Sequence, residues 1–469
     1  MIRFSSVLLV IAMIGFSASF AAAGGQKESS GASAHSLAGT TVHFLTERDV
    51  HELALSATMA AIAKKWGVTF APRYIPTSDL PKQIVLDYVA GATTWYLYYT
   101  GGIQNMFEEY HRGIVTPISD LMQKYGDTKT LDFSGFTRDA QSAVTYDGKI
   151  LGLVVATSTQ GLAYRKDLFD NPVEKAAFKA KYGYDLTVPQ TYQQFRDVAL
   201  FFTRKKGQML AGKPLQNDFY GTAFANQKGA FLFHSYENML AAFGVQLYDP
   251  ATGKVGFDSP ANIAAAEYYK SLLPAEPPDQ INMTAGEAAD LFAHGDMAMI
   301  IEYVDRITHA DQPNTPVYGK VGITFPPTVP NNPLNRNHAF RNGPAVVCVY
   351  SLSKNKEAAY KLLTAAITSE NQIAMAKNYN GYIPSRVSAL QAVTPLDKPL
   401  YNYVLSISKD KIDAMTDAAI IQYPAIIRAG QISDAVSNSI TDILEGTPVK
   451  TALAQGQQKI VTALQGLKP

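Results

Sequence analysis

Two hydrophobic periods alternate along the first third of this 469-residue chain. Short apolar runs over residues 41–45, 68–75 and 95–99 read as strands, because they are rich in β-branched and aromatic residues and end in turn-forming ones. Between them, residues 50–66 read as a helix with Leu53, Ala57, Met59, Ala60 and Ile62 along one stripe. Ser78 is placed to cap a second helix running to Val89, and Thr100-Gly101-Gly102 leads into a third that reaches about Arg112. Strands alternating with helices predict a parallel α/β sheet. Ligands of such sheets sit beyond the carboxyl ends of the strands. That rule selects Glu47 and Arg48 after the first strand, and Tyr99, Thr100 and Gln104 after the third.

The pattern then changes. Asp147-Gly148 is a tight-turn dipeptide, and residues 149–156 follow it as a run too apolar for a strand with one wet face. A buried strand is expected there. The polar cluster Thr157-Ser158-Thr159-Gln160 interrupts it, a second strand covers residues 161–164, and Arg165 onward opens a helix. Further on, helical periods dominate. Thr191 with Gln194 and Thr284 with Glu287 have capping-box spacing, and Ser259-Pro260 is a cap followed by an N1 proline.

Several stretches, in order, resemble the sugar-type solute-binding proteins of ABC importers, the group that includes maltose-binding protein. YDGKILGLVV…GLAYRKDLF (146–169) resembles their first interlobe crossing, and PQTYQQFRDVALFF (189–202) one helix opening, with Tyr192 where Trp is usual. FGVQLYD (243–249) fits with Val245 replacing a glycine, and LFAHGDMAM (291–299) resembles a strand opening. NGPAVV (342–347) resembles the return crossing, SKNKEAA (353–359) the helix after it, and GYIPSR (381–386) a glycine–proline–serine–arginine segment. The resemblance implies a two-lobed periplasmic-binding-protein fold with three hinge crossings. The first α/β lobe would take residues 38–155 plus 345–394, the second 156–344 plus 395–469. It also implies that Thr157, Ser158 and Gln160 face a ligand cleft. Aromatic contacts would come from Tyr99, from His234 and Tyr236, and from Tyr303 and Tyr423. Glu302-Tyr303-Val304-Asp305 departs from the small, glycine-containing sequence usual at that place. Arg341-Asn342, beside the return crossing, would either hold ligand hydroxyls or pair with a lobe carboxylate.

The first 23 residues read as a cleaved secretory signal: Arg3 is the positive start, 7–20 the apolar core, and Ala21-Ala22-Ala23 the exit. The core is shorter than the roughly 20 residues that span a bilayer. The only cysteine is Cys348, inside an apolar run, so no lipid-accepting cysteine stands at the cleavage point and no disulfide forms. Residues 24–37, rich in Ser, Gly and Ala, read as a flexible leader. The expected product is soluble and periplasmic. With 41 basic and 40 acidic residues, the charge balance offers nucleic acid nothing to bind.

Enzyme signatures are missing. His51-Glu52 lacks the second histidine of a zinc-binding helix, and neither a Walker loop, a G-x-G-x-x-G turn nor a G-x-S-x-G elbow occurs. No metal or cofactor is expected. Glu108-Glu109 reads as part of a solvated helix face. Glu302 and Asp305 flank an apolar strand end and leave one alternative open, a carbohydrate-active hydrolase with two carboxyls across a glycosidic bond. Trp66 and Trp95 read as packing residues, so sugar stacking falls to tyrosine. The expectation is therefore a monomeric binder. It would capture a monosaccharide, polyol or short oligosaccharide and pass it to the membrane subunits of an ABC permease, with a non-sugar solute as the other alternative.

Overall fold

Strand β1 (Thr41–Thr46) lies between two parallel neighbours, β2 (Thr69–Tyr74) and β3 (Leu97–Tyr99). The computed structural model that shows this describes residues 37–126, 131–331, 340–341, 343–393, 403–404, 414–415 and 425–466. The signal segment, nearly all of the leader, Asn342 and Tyr423 lie outside the described residues. Helix α1 (Val50–Trp66) joins β1 to β2, while α2 (Leu80–Val89) precedes β3 and α3 (Ile103–His111) follows it. The α2 helix begins at Leu80, after a 3-10 turn over Thr77–Asp79 that contains Ser78.

The sheet is mixed rather than all parallel. Its order is β2-β1-β3-β9-β4, where β4 is Val115–Thr116 and β9 is Ala345–Tyr350. β9 runs antiparallel to β3 and also pairs with β5 (Leu153–Ala156). The apolar run 149–156 is thus split. Lys149–Ile150 forms a hairpin with Thr145–Tyr146 across Asp147 (φ 49°) and Gly148 (φ 71°), the left-handed pair that a tight two-residue turn needs. β5 then starts only at Leu153. Gly152 is required by close approach: a Cβ there would meet Val346 Cγ1 at 2.7 Å and Cys348 Sγ at 2.9 Å.

A second, three-stranded antiparallel sheet centres on β6 (Gln160–Arg165), flanked by β7 (Met299–Tyr303) and β8 (Val321–Thr324). Side chains on successive strand positions face opposite ways, and the chain uses both faces. Leu162, Met299 and Ile301 enter one apolar core with the helices Pro172–Tyr182, Tyr192–Phe202, α4 (Ala230–Ala242), Pro260–Lys270, Ala429–Leu444 and Val449–Leu464. Ala163 and Ile300 enter the other, which is built on the mixed sheet and is the first core in chain order, the helical one being the second. Both expected capping boxes form: Thr191 Oγ1 accepts from Gln194 N at 3.2 Å, and Thr284 Oγ1 accepts from Glu287 N at 3.2 Å. Trp95 and Cys348 are buried in the first core, and Trp66 packs against it.

The segment after β9 braces β5. Tyr382 Oη donates to the Val155 carbonyl at 2.5 Å and Ser385 Oγ to the Val154 carbonyl at 2.7 Å. Arg386 donates to the carbonyls of Ile367 and Leu131, each at 2.7 Å, and lies over the Phe136 ring. Two expectations fail here because polar side chains occupy the inner face. Glu109 is buried, accepting from Tyr98 Oη at 3.0 Å, rather than solvated. In α1 the buried positions are His51, Glu52, Ala54, Leu55, Ser56, Met59 and Ala63, while Ala57 and Ala60 are exposed.

Candidate functional site

Three chain segments converge beyond the carboxyl end of β1. First, β1 ends at Thr46, and Asp49 caps α1 by accepting from Val50 N at 2.6 Å. Glu47 between them accepts from the Thr77 hydroxyl and is hydrogen-bonded to the hydroxyl of Tyr99 at the end of β3. Second, the link between β5 and β6 is held on both sides. Thr157 donates to Asp139 at 2.8 Å and its N–H to the Ile383 carbonyl at 3.0 Å; Ser158 donates to Asp305. Gln160 accepts from Asn238 of α4 at 2.6 Å and, through its carbonyl, from Tyr403 at 2.8 Å. Third, β7 ends at Tyr303 and a helical turn, Val304–Ile307, presents Asp305 and Arg306.

Gly381 is where the first and third segments meet. A Cβ on it would contact the Asp305 carbonyl at 3.1 Å, Thr308 Oγ1 at 3.2 Å and Val50 Cγ1 at 3.6 Å. Its φ of 91° also suits glycine alone. Gly343 lies beneath Tyr303, whose ring a Cβ there would meet at 2.7 Å. Arg306 lies over the Tyr303 ring at 5.3 Å and reaches Glu302 at 3.4 Å. Glu302 also accepts from Tyr303 N at 2.7 Å.

The electrostatics join the two sides. Burial, with Asp49 adding to it, pushes the Glu47 carboxyl up to about 7, against Arg306 and the Tyr99 hydroxyl. Burial and then Glu47 hold Glu52 well above the usual carboxylate range. Burial likewise raises Glu302, with Arg306 opposing. Burial works against the Arg306 charge, but Glu302, Asp305 and Asp49 overcome it and hold the guanidinium above its ordinary value. A carboxyl that binds its proton more tightly folded than unfolded favours the fold in acid. Stability present at pH 4.5 is therefore lost as the pH rises through about 7, the Glu47 value. Urea denaturation across that window should show a falling midpoint, and Glu47→Gln should flatten it; equal slopes would place Glu47 outside the buried cluster.

Of the residues selected from sequence, Glu47, Tyr99, Ser158, Glu302, Tyr303 and Asp305 come together here, with Thr157 and Gln160 on the adjoining link. Thr100 and Gln104 sit at the start of α3, where the Thr100 hydroxyl donates to the Gly102 carbonyl at 3.0 Å. Arg48 is exposed, 5.7 Å over the Tyr74 ring. His234 is half-buried on α4. Tyr236 is elsewhere: it is fully buried in the second core and donates to Asn262 at 2.7 Å. Arg341 lies in a short strand pairing Phe340–Arg341 with Ala414–Met415. Sequence reasoning passed over Asp49, Glu52, Asn238 and Arg306. Two signals were readable, the Asp49-x-x-Glu52 capping spacing and the i, i+4 pair Glu302 and Arg306.

A family model described as bacterial extracellular solute-binding protein matches residues 57–402, well over half of the chain. The chain is a bacterial extracellular solute-binding protein. A putative binding protein of Brucella abortus (strain 2308) is 23% identical to this solute-binding protein over 331 residues, 69% of this chain and 70% of the relative. Among solved structures, an ABC transporter solute-binding protein of Agrobacterium radiobacter K84 in complex with ribitol superposes with a TM-score of 0.75 at 19% identity, covering 91% of this chain and 99% of that one. One from Agrobacterium vitis S4 with bound D-mannitol gives 0.72 at 19% identity, covering 90% and 97%. A maltose-bound MalE3 of T. maritima gives 0.70 at 18%, covering 90% and 99%. These likenesses establish the two-lobed α/β binding-protein fold for this solute-binding protein. No helix among its described residues is long and apolar enough to cross a membrane.

Proposed function

We propose that this protein is the periplasmic receptor of an ABC importer for a carbohydrate, a polyol, monosaccharide or short oligosaccharide. Residues 38–155 plus 345–394 form one lobe and 156–344 plus 395–469 the other. The lobes close about the crossings on the ligand, and the loaded protein delivers it to the permease membrane subunits as a monomer after signal cleavage near Ala23. The observation that carries this reading is the convergence of Glu47 and Tyr99 with Glu302, Tyr303 and Arg306 beside the β5–β6 link. Such a site offers aromatic faces for C–H surfaces and carboxyl and guanidinium groups for hydroxyls. Similar folds holding ribitol, D-mannitol and maltose support the solute class.

The binder reading is favoured over the hydrolase by how the two candidate carboxyls are occupied. Glu302 is bound to Tyr303 N and Arg306, and Asp305 to Ser158. With these partners both carboxyls read as groups that hold the site's shape rather than as an acid–base pair. Saccharides incubated with the protein for hours should be recovered intact by chromatography. Release of reducing ends, abolished by Glu302→Gln, would promote the hydrolase instead.

A further inference from the structure

The carboxyls around this site outnumber the cation that acts on them. Glu47, Asp49 and Glu52 come from the end of β1 and the first turn of α1, and Glu302 and Asp305 from the end of β7. Among the described residues, Arg306 is the cation within their electrostatic reach, and it is already committed to Glu302 and to the Tyr303 ring. Glu52 is the residue left over. Its side chain is 0% exposed, and neither carboxyl oxygen meets a hydrogen-bond partner outside its own residue among the described residues. Its electrostatic neighbours are Glu47, Asp49 and Asp305, so it belongs to the cluster on the site's inner wall. The hydroxyls of Thr46 and Thr159, at the ends of β1 and of the β5–β6 link, are also buried without partners among the described residues. Buried polar groups are normally satisfied, so these open groups on the segments that build the site call for a partner of matching chemistry.

That partner must bring donors and positive charge. Hydroxyls can pair with the protonated carboxyls but add no charge, whereas an ammonium supplies three donors and the charge that favours their ionised form. A metal ion is not the missing cation: no group of three His, Cys, Asp or Glu among the described residues is arranged to hold one. We propose that the solute carries a protonated amine among its hydroxyls, as an amino sugar or amino polyol does, with the amine seated against Glu47 and Glu52. The proposal rests on the carbohydrate reading and narrows it. Burial and the neighbouring carboxyls hold both glutamates above their usual range in the empty protein. An arriving cation reverses that shift, so binding releases protons.

Calorimetry at neutral pH on two matched sets tests this: sorbitol, its 1-amino-1-deoxy analogue and gluconate; glucose, glucosamine and glucuronate. In at least one set the amine should bind about tenfold or more tighter than its hydroxyl parent, and the acid should give no heat. The heat for the amine should vary with the buffer's ionisation enthalpy. Glu47→Gln should remove the amine's advantage while circular dichroism stays unchanged; Glu52→Gln should do the same if it folds. A hydroxyl parent binding as tightly as its amine, with no amine preferred in the other set, overturns the proposal and leaves the carbohydrate reading standing. No heat from any of the six also overturns it, and binding of a neutral saccharide outside the sets would then show that the broader reading survives.

Discussion

Replacing Arg306 with alanine should lower the unfolding free energy by about 2 kcal/mol near neutral pH. Removing one partner of a buried ion pair costs about 3–5 kcal/mol, because the other charge stays behind unpaired. Here the guanidinium keeps 27% of its side-chain exposure, so water screens part of that loss. Glu302, Asp305 and Asp49 are the charges left without it. Urea denaturation at pH 7 measures the effect. At pH 4.5 the deficit should shrink, since Glu302 and Glu47 then hold protons and repel less. Arg306→Lys should recover part of the loss but not the contact over Tyr303, which suits a planar cation. A deficit under about 0.5 kcal/mol at pH 7, the scale of an unremarkable surface change, would mean that Arg306 does not organise the cluster.

Glu47→Ala and Tyr303→Ala should each weaken ligand binding by about 1–4 kcal/mol, the range for truncating a residue at the centre of an interface. They sit on opposite sides of the site, one after β1 and one at the end of β7. Tyr303 is 6% exposed and packs against Gly343, so its variant is titrated well below its own unfolding midpoint. Tyr236→Phe is the control. It removes only the bond to Asn262 inside the second core, worth about 1 kcal/mol of stability, and should leave affinity unchanged. Unaltered affinity in both Glu47→Ala and Tyr303→Ala would place the ligand elsewhere.

What the sequence made legible was whatever a short window dictates. The β1-α1-β2 unit, the Asp147-Gly148 turn and the two capping boxes each depend on neighbours within a few residues. The strand-end rule selected Glu47 and Tyr99, which the structure sets side by side, because the end of a parallel strand is local information, while the position of β9 in the sheet is not. β9 arrives from residue 345 and runs antiparallel to β3, which no local pattern announces. The inner face of α1 was misread for a different reason. Its buried positions include His51, Glu52 and Ser56, so the predicted apolar stripe met the true contact face at Met59 but missed it at Ala57 and Ala60. Glu52 earns its place through groups far along the chain, among them Asp305. Tyr236 erred the other way: a tyrosine suits a sugar site and a core equally, and Asn262 decided the matter.

The most direct test of the central claim is a thermal-unfolding series across solute classes. A ligand that binds only the folded chain adds about 2.7 kcal/mol at a hundredfold excess over its Kd. For folding units of this size, each kcal/mol raises the midpoint by about 2–4 °C. A shift of several degrees should appear with a sugar, amino sugar or polyol, and be absent with phosphate esters, polyamines and ferric ion. A shift produced only by one of those other solutes would contradict the carbohydrate receptor.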